Sequence, residues 1–87
     1  MRRLLSLVLA ALGAAACAQM NDSAEERACR GGIERLEQAA AAWQGGINAK
    51  TQAENQINLA DGAADFRRWQ RCRAALQRGF RALGQTL

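Results

Sequence analysis

Residues 29–72 read CRGGIERLEQAAAAWQGGINAKTQAENQINLADGAADFRRWQRC, and this stretch begins and ends in cysteine. Gly45 and Gly46 divide it into two helical patterns, because Gly is the favoured residue just past a helix C-terminus. Two amphipathic patterns on either side of a short connection predict two antiparallel helices. Cys29 and Cys72 belong one to each pattern, so a disulfide between them would hold the helices together. The sequence therefore predicts an all-α fold, a disulfide-clasped antiparallel helical hairpin.

The first helical pattern follows Ser23, which forms with Glu26 the capping box expected at a helix start. Apolar or small residues then recur at alternating spacings of four and three, which places them on one face of an α-helix. These residues are Cys29, Ile33, Leu36, Ala40, Trp43 and Ile47. Gly31 and Gly32 weaken this helix, and they predict either a kink or a bulky neighbour that needs room.

The second helical pattern begins at Thr51, which forms another capping box with Glu54, so residues 47–50 are the predicted connection. Its apolar positions keep one phase through Leu59, Gly62, Phe66, Trp69, Leu76, Phe80, Leu83 and Leu87. This phase favours a single helix that is continuous or kinked. Asp61 and Gly62 mark the predicted point of any kink or break, because Gly weakens a helix and Asp can cap a new one.

A register for the hairpin follows from the disulfide, which needs Cα atoms within about 7 Å of each other. Aligning the two cysteines across antiparallel helices places Gly32 opposite Trp69. The same register places Glu34 near Arg67 and Arg68, where opposite charges would attract.

The first 18 residues have the features of a secretory signal sequence. A basic segment at residues 1–3 precedes an apolar run over residues 4–16, which is shorter than the about 20 residues that span a bilayer. An N-terminal anchor or a buried helix is the alternative. Cleavage after Ala18 would follow the A-x-A rule and leave a soluble periplasmic or secreted product that begins at Gln19.

Ala14-Ala15-Ala16-Cys17 resembles the lipobox of bacterial lipoproteins. In that class the signal is removed before the cysteine, which is lipidated and becomes the first residue. The two small residues before Cys17 match the pattern, whereas Ala14 occupies a position where Leu is usual. The resemblance implies lipidation of Cys17 and an outer-membrane lipoprotein facing the periplasm. Residues 19–23 would then be a short polar tether, and residues 24–87 the exported helical domain.

Either route of processing leaves Cys29 and Cys72 as a pair. Because an exported compartment is oxidising, an even number of cysteines there usually forms a bridge. The alternatives are two free buried thiols, or one thiol that bonds to a partner protein.

The residue inventory argues against an enzyme. The 87 residues include no His, which removes the commonest acid–base catalyst and a common zinc ligand. The cysteines do not form a C-x-x-C redox motif. We therefore predict no catalytic residue, no metal site and no cofactor.

Charge is distributed unevenly along the chain, since residues 67–87 contain six arginines and no acidic residue. Arginines interleaved with aromatic residues suit the headgroups of anionic lipids, and they also suit nucleic acid. The candidate face consists of Arg67, Arg68, Trp69, Arg71, Arg73, Arg78 and Arg81. In the alternative interpretation the aromatic residues form the core, and the arginines are a solvated flank that attracts the acidic first half of the chain.

These observations favour a non-catalytic, small exported envelope protein that binds another envelope component. The predicted partner is an envelope protein or a membrane surface, and a second copy of the chain is also a candidate. The alternative is a membrane-active or anionic-surface binding protein that uses the Arg67–Arg81 face. Nucleic-acid binding ranks third, because it needs a cytoplasmic mature protein.

Overall fold

The computed structural model describes the backbone of residues 2–85 and the side chains of residues 22–85. Within that part of the chain there are three α-helices and no β-strand. Helix α1 spans Arg2–Ala41, α2 spans Ile47–Asp65 and α3 spans Trp69–Ala82. The predicted all-α fold is confirmed.

None of the helices in this described part is both long enough and apolar enough to cross a membrane.

The predicted disulfide joins Cys29 of α1 to Cys72 of α3, and their Cα atoms are 5.9 Å apart. Both cysteines are buried in the core. The clasp is thus confirmed. It joins the first helix to the third, with α2 packed against both.

Two glycines let α1 and α3 approach each other closely. A Cβ atom on Gly32 would lie 2.5 Å from Cδ1 of Leu76, and one on Gly79 would overlap Cδ2 of Leu36. The prediction of a bulky neighbour at Gly32 is confirmed, but that neighbour is Leu76 and not Trp69. In the pairs Gly32–Leu76 and Leu36–Gly79, the residue of α3 follows the residue of α1 by nearly the same number of positions as Cys72 follows Cys29. A separation that stays constant along both helices means that α1 and α3 run parallel. The predicted antiparallel register is therefore wrong, because α2 is the helix that reverses the chain after α1.

Helix α1 does not begin at Ser23, so the prediction of a helix start there is wrong. The helix passes through residues 19–23, the predicted tether, without a break. No Gly or Pro lies between residues 14 and 30. Extending a helix over such residues is easier than starting a new one, because nucleation is the costly step. Processing of the signal and lipidation of Cys17 remain predictions, since the Cys17 side chain lies outside the described side chains.

The connection between α1 and α2 is residues 42–46, which include both glycines of the predicted stop. Gly46 is the N-cap of α2 and has an extended backbone conformation. The indole Nε1 of Trp43 donates a hydrogen bond to the carbonyl oxygen of Gly46 at 3.0 Å. Helix α2 therefore starts before Thr51, and the predicted capping box lies inside it. Ala49 packs against the core, which explains why residues 47–50 are helical rather than a loop.

The chain breaks at residues 66–68 and not at Gly62, where α2 continues unbroken to Asp65. Arg67 has a positive φ of 56°. Its N–H donates to the carbonyl of Ala64 at 3.0 Å, and the N–H of Arg68 donates to that of Ala63 at 2.8 Å. These two bonds are those of a Schellman motif, which ends a helix through one residue in the left-handed conformation. The predicted kink or break is thus displaced towards the C-terminus, and it is sharp enough to reverse the chain.

Helix α2 buries a row of small residues that the predicted phase had missed. The buried residues of this helix are Ala53, Ile57, Ala60 and Ala64. Leu59 is instead 56% exposed and Phe66 is 75% exposed. Gly62 is also exposed, and Leu87 lies outside the described residues. The predicted phase was wrong for α2 because the break at residues 66–68 separates it from the phase of α3.

The core lies where the three helices meet. Its buried residues are Cys29, Ile33, Leu36, Ala40, Ala53, Ile57, Ala60, Ala64, Trp69, Cys72, Ala75, Leu76, Phe80 and Leu83. The stripe predicted for the first helix is buried as far as Ala40. Beyond it, Trp43 is half-buried and Ile47 is 72% exposed, because α1 ends and the chain turns away.

Candidate binding surface

The predicted Arg67–Arg81 face does not form one surface. Trp69 is only 9% exposed and belongs to the core. Its indole Nε1 donates a hydrogen bond to Oδ1 of Asp22 at 2.6 Å, which ties the start of α3 to α1. Trp69 is therefore a structural residue rather than a residue of an open face.

Two of the predicted arginines face α1 and form ion pairs there. Arg67 pairs with Asp22, and Arg73 lies 3.9 Å from a carboxylate oxygen of Glu25. The interpretation that the two oppositely charged parts of the chain attract each other is confirmed for these residues. The predicted acidic partner, Glu34, was wrong, because the parallel packing of α1 and α3 places Asp22 and Glu25 beside the N-terminal end of α3.

Three other arginines lie on the opposite side of α3 and face α2. Together with α2 they form a groove of about 420 Å³, here called the basic groove. It is lined by Asn58, Leu59, Gly62, Ala63, Phe66, Arg68, Arg71, Ala74 and Arg78. Arg81 is exposed in the last turn of α3 and does not line the groove, although its charge suits a helix C-terminus.

Two of the three arginines in the basic groove contact uncharged partners. The guanidinium carbon of Arg68 lies 5.9 Å from the centroid of the Phe66 ring, within the range of a cation–π interaction. Nε of Arg78 donates a hydrogen bond to Oε1 of Gln56 at 3.0 Å. Among residues 22–85, no carboxylate lies within salt-bridge distance of Arg68, Arg71 or Arg78. The groove therefore carries positive charge that no described acidic group neutralises.

Phe66 and Leu59 make the same groove apolar. Both point outward, one at the break and one on α2. Sequence reasoning placed both residues in the apolar phase of the second helix and left them out of the candidate face, although Phe66 begins the stretch of interleaved arginines and aromatic residues. The signal that could have revealed them is the row Ala53, Ile57, Ala60 and Ala64, whose spacing of four, three and four offers α2 a different buried face.

Acidic residues gather along a different seam of the bundle. Glu37, Glu54 and Asp61 line a second depression, between α1 and α2, together with Lys50. Acidic side chains are thus concentrated between α1 and α2, whereas the charged side chains that line the basic groove are all arginines.

No metal or buried polar site stands out in residues 22–85. No group of three or more His, Cys, Asp or Glu side chains there is placed to hold a metal ion. Every buried side-chain nitrogen or oxygen in that range has a hydrogen-bond partner. The basic groove is therefore the candidate functional surface.

The fold and this surface define a small disulfide-linked helical domain with an open, basic and apolar groove. No protein-family model matches the chain, and neither the curated proteins nor the solved structures give a significant match.

Proposed function

We propose that this chain is a non-catalytic binding protein of the cell envelope, exported by its N-terminal segment and lipidated on Cys17. The observation that carries the binding role is the basic groove, where Phe66 is 75% exposed and Leu59 56% exposed beside three arginines. Large apolar side chains grouped at a surface commonly mark an interaction site. The partner is another component of the envelope.

Export is supported by two independent features. The basic start and the apolar run over residues 4–16 have the layout of a signal sequence. The disulfide between Cys29 and Cys72 suits an oxidising compartment, because disulfides are rare in the cytosol. The lipobox-like Ala14-Ala15-Ala16-Cys17 supports the lipid anchor.

The compartment is tested by the intact mass of the protein, made in a bacterium with its own N-terminal segment. A diacyl- or triacylglyceryl mass on a chain that begins at Cys17 supports the lipoprotein. A bare chain that begins at Gln19 supports export without a lipid. Under reductant, the mass of two added hydrogens supports the disulfide. An uncleaved, reduced chain in the cytoplasm overturns the proposal.

The binding role is tested by placing a photoreactive amino acid at Leu59 in living cells. The matched control carries the same group at Ile47, which is 72% exposed and does not line the groove. Adducts that form from residue 59 and not from residue 47 support a partner in the groove. Equal adducts from both positions contradict it.

A further inference from the structure

We infer that the basic groove, which includes Phe66 and Arg68 of the turn, forms a contact surface for anionic phospholipid in a membrane. The inference rests on the proposed function and deepens it by naming the partner. Of the predicted Arg67–Arg81 face, it retains only Arg68, Arg71 and Arg78. Arg67 and Arg73 are engaged by α1, Trp69 is buried, and Arg81 lies outside the groove.

The groove combines the two chemical groups that a membrane surface binds. Arg68, Arg71 and Arg78 present guanidinium groups, which match phosphate oxygens in charge and in hydrogen-bond geometry. Phe66 and Leu59 lie among them, and such apolar side chains enter the boundary between headgroups and acyl chains. Phosphate and acyl chain occur together in a phospholipid.

The position of the turn in the molecule also points to a membrane. Asp22 contacts both Trp69 and Arg67, so the turn at residues 66–68 lies beside residue 22. Cys17 is five positions earlier in the chain, which is about 8 Å in a helix and at most about 18 Å fully extended. A lipid on Cys17 would therefore hold Phe66 at the membrane surface.

The rim of the groove is open to solvent. Its polar residues, Asn58, Arg68, Arg71 and Arg78, are all exposed. Its charged groups are all arginines, whose guanidinium groups suit the phosphates of a lipid surface. The acidic depression between α1 and α2 borders the groove at Asn58, which lines both, and its acidic side chains do not line the groove itself.

The test is flotation of the chain that begins at Gln19 with vesicles of phosphatidylcholine alone or mixed equally with phosphatidylglycerol. Starting at Gln19 removes both the lipidation site and the apolar run over residues 4–16, which would itself bind vesicles. Binding to the anionic vesicles is expected, with a decline at high salt because screening weakens contacts between charges. Much weaker binding to phosphatidylcholine is expected, and equal binding to both vesicles would overturn the inference.

Paired variants locate the contact. R68Q/R71Q is expected to lower partitioning onto anionic vesicles about 10- to 30-fold, the loss expected for two arginines at a membrane surface. R35Q/R81Q removes the same charge outside the groove and is expected to change partitioning by less than about twofold. F66S is expected to weaken binding about fivefold or more, while I47S leaves it unchanged, because only Phe66 would be buried in lipid. Helical circular dichroism and a cooperative urea unfolding transition show that each variant is folded.

The results separate this inference from the proposal beneath it. Equal losses in the two double variants would mean that only net charge matters, and they would overturn the inference. So would a chain that ignores vesicles but dimerises in sedimentation or binds an acidic helical peptide. An exported chain that fails to float overturns the membrane contact alone. An uncleaved cytoplasmic chain overturns the proposed function, whatever the vesicles show.

Discussion

Arg67 occupies a backbone conformation that its side chain disfavours. Its φ of 56° lies in the left-handed region, which costs a residue other than Gly about 1–2 kcal/mol. Helix α3 ends in the same way, but there the position is filled by Gly84, with a φ of 69°. The ion pair between Arg67 and Asp22 is partly exposed and offsets only about 0–1 kcal/mol. The turn beside the basic groove is therefore held in place at some cost in stability.

Replacing Arg67 tests this strain. R67G and R67A both remove the ion pair, but only Gly adopts the left-handed conformation without a Cβ penalty. We expect R67G to be more stable than R67A by about 1 kcal/mol in urea unfolding. Equal stability of the two variants would mean that residue 67 does not keep this conformation in solution.

Two glycines should respond in opposite ways to the same substitution. G79A is expected to destabilise the fold by about 1–3 kcal/mol, because its Cβ would overlap Leu36. G62A is expected to stabilise it by about 0.5–1 kcal/mol. Gly62 lies within α2, and a Cβ there would meet nothing within 4 Å. Thermal unfolding of both variants checks the pair, and a loss of stability in G62A would contradict the open surface at that position.

At the scale of the helix, α2 is the element whose buried face the apolar pattern of the sequence did not predict. Large apolar residues were expected inside, but α2 turns Leu59 outward and buries Ala60. A face of alanines lets the neighbouring helices come close, and the packing gained outweighs the burial of one leucine. Hydrophobicity alone favours burial of the leucine. The distance between helices cannot be read from the local sequence. The helical character of the segment was predictable, but its buried face was not.

The buried face of α2 can be checked with adjacent residues. L59A is expected to change the free energy of unfolding by less than about 0.5 kcal/mol, since surface substitutions rarely cost more. A60L is expected to cost about 1–3 kcal/mol or more, because Ala60 is fully buried and a larger side chain would overpack the core. Urea unfolding measures both. A large cost for L59A with little cost for A60L would restore the phase first predicted from the sequence.

At the scale of the whole molecule, the composition and the two cysteines were enough to predict an all-α fold and its clasp. The topology was not predictable in the same way, because the apolar spacing runs on through the break at residues 66–68. Residues 66–68 are Phe, Arg and Arg, so neither Gly nor Pro marks a turn there. Because the turn was not predicted, the sequence analysis placed Cys72 on a single second helix that runs antiparallel to α1. The same turn directs Arg67 and Arg73 towards Asp22 and Glu25 and places the other arginines in the groove. This division was therefore not predicted either.

The disulfide is expected to supply much of the stability of a domain this small. Joining Cys29 to Cys72, 43 residues apart, closes a long loop in the unfolded chain. The loss of chain entropy on closing such a loop stabilises the fold by about 4 kcal/mol. Domains of this size rarely gain more than about 3–5 kcal/mol from their core, so removing the clasp should leave the fold marginal.

We expect C29S/C72S to lower the free energy of unfolding by about 4 kcal/mol, and reductant to have the same effect on the unaltered chain. Cys17→Ser is the matched control, because it removes a cysteine outside the clasp and should leave urea unfolding unchanged. Reductant should have no further effect on C29S/C72S. If reductant also leaves the unaltered chain unchanged, the two thiols are free in solution. The parallel contact between α1 and α3 would then depend on the packing at Gly32 and Gly79 and on the polar contacts of Asp22 and Glu25.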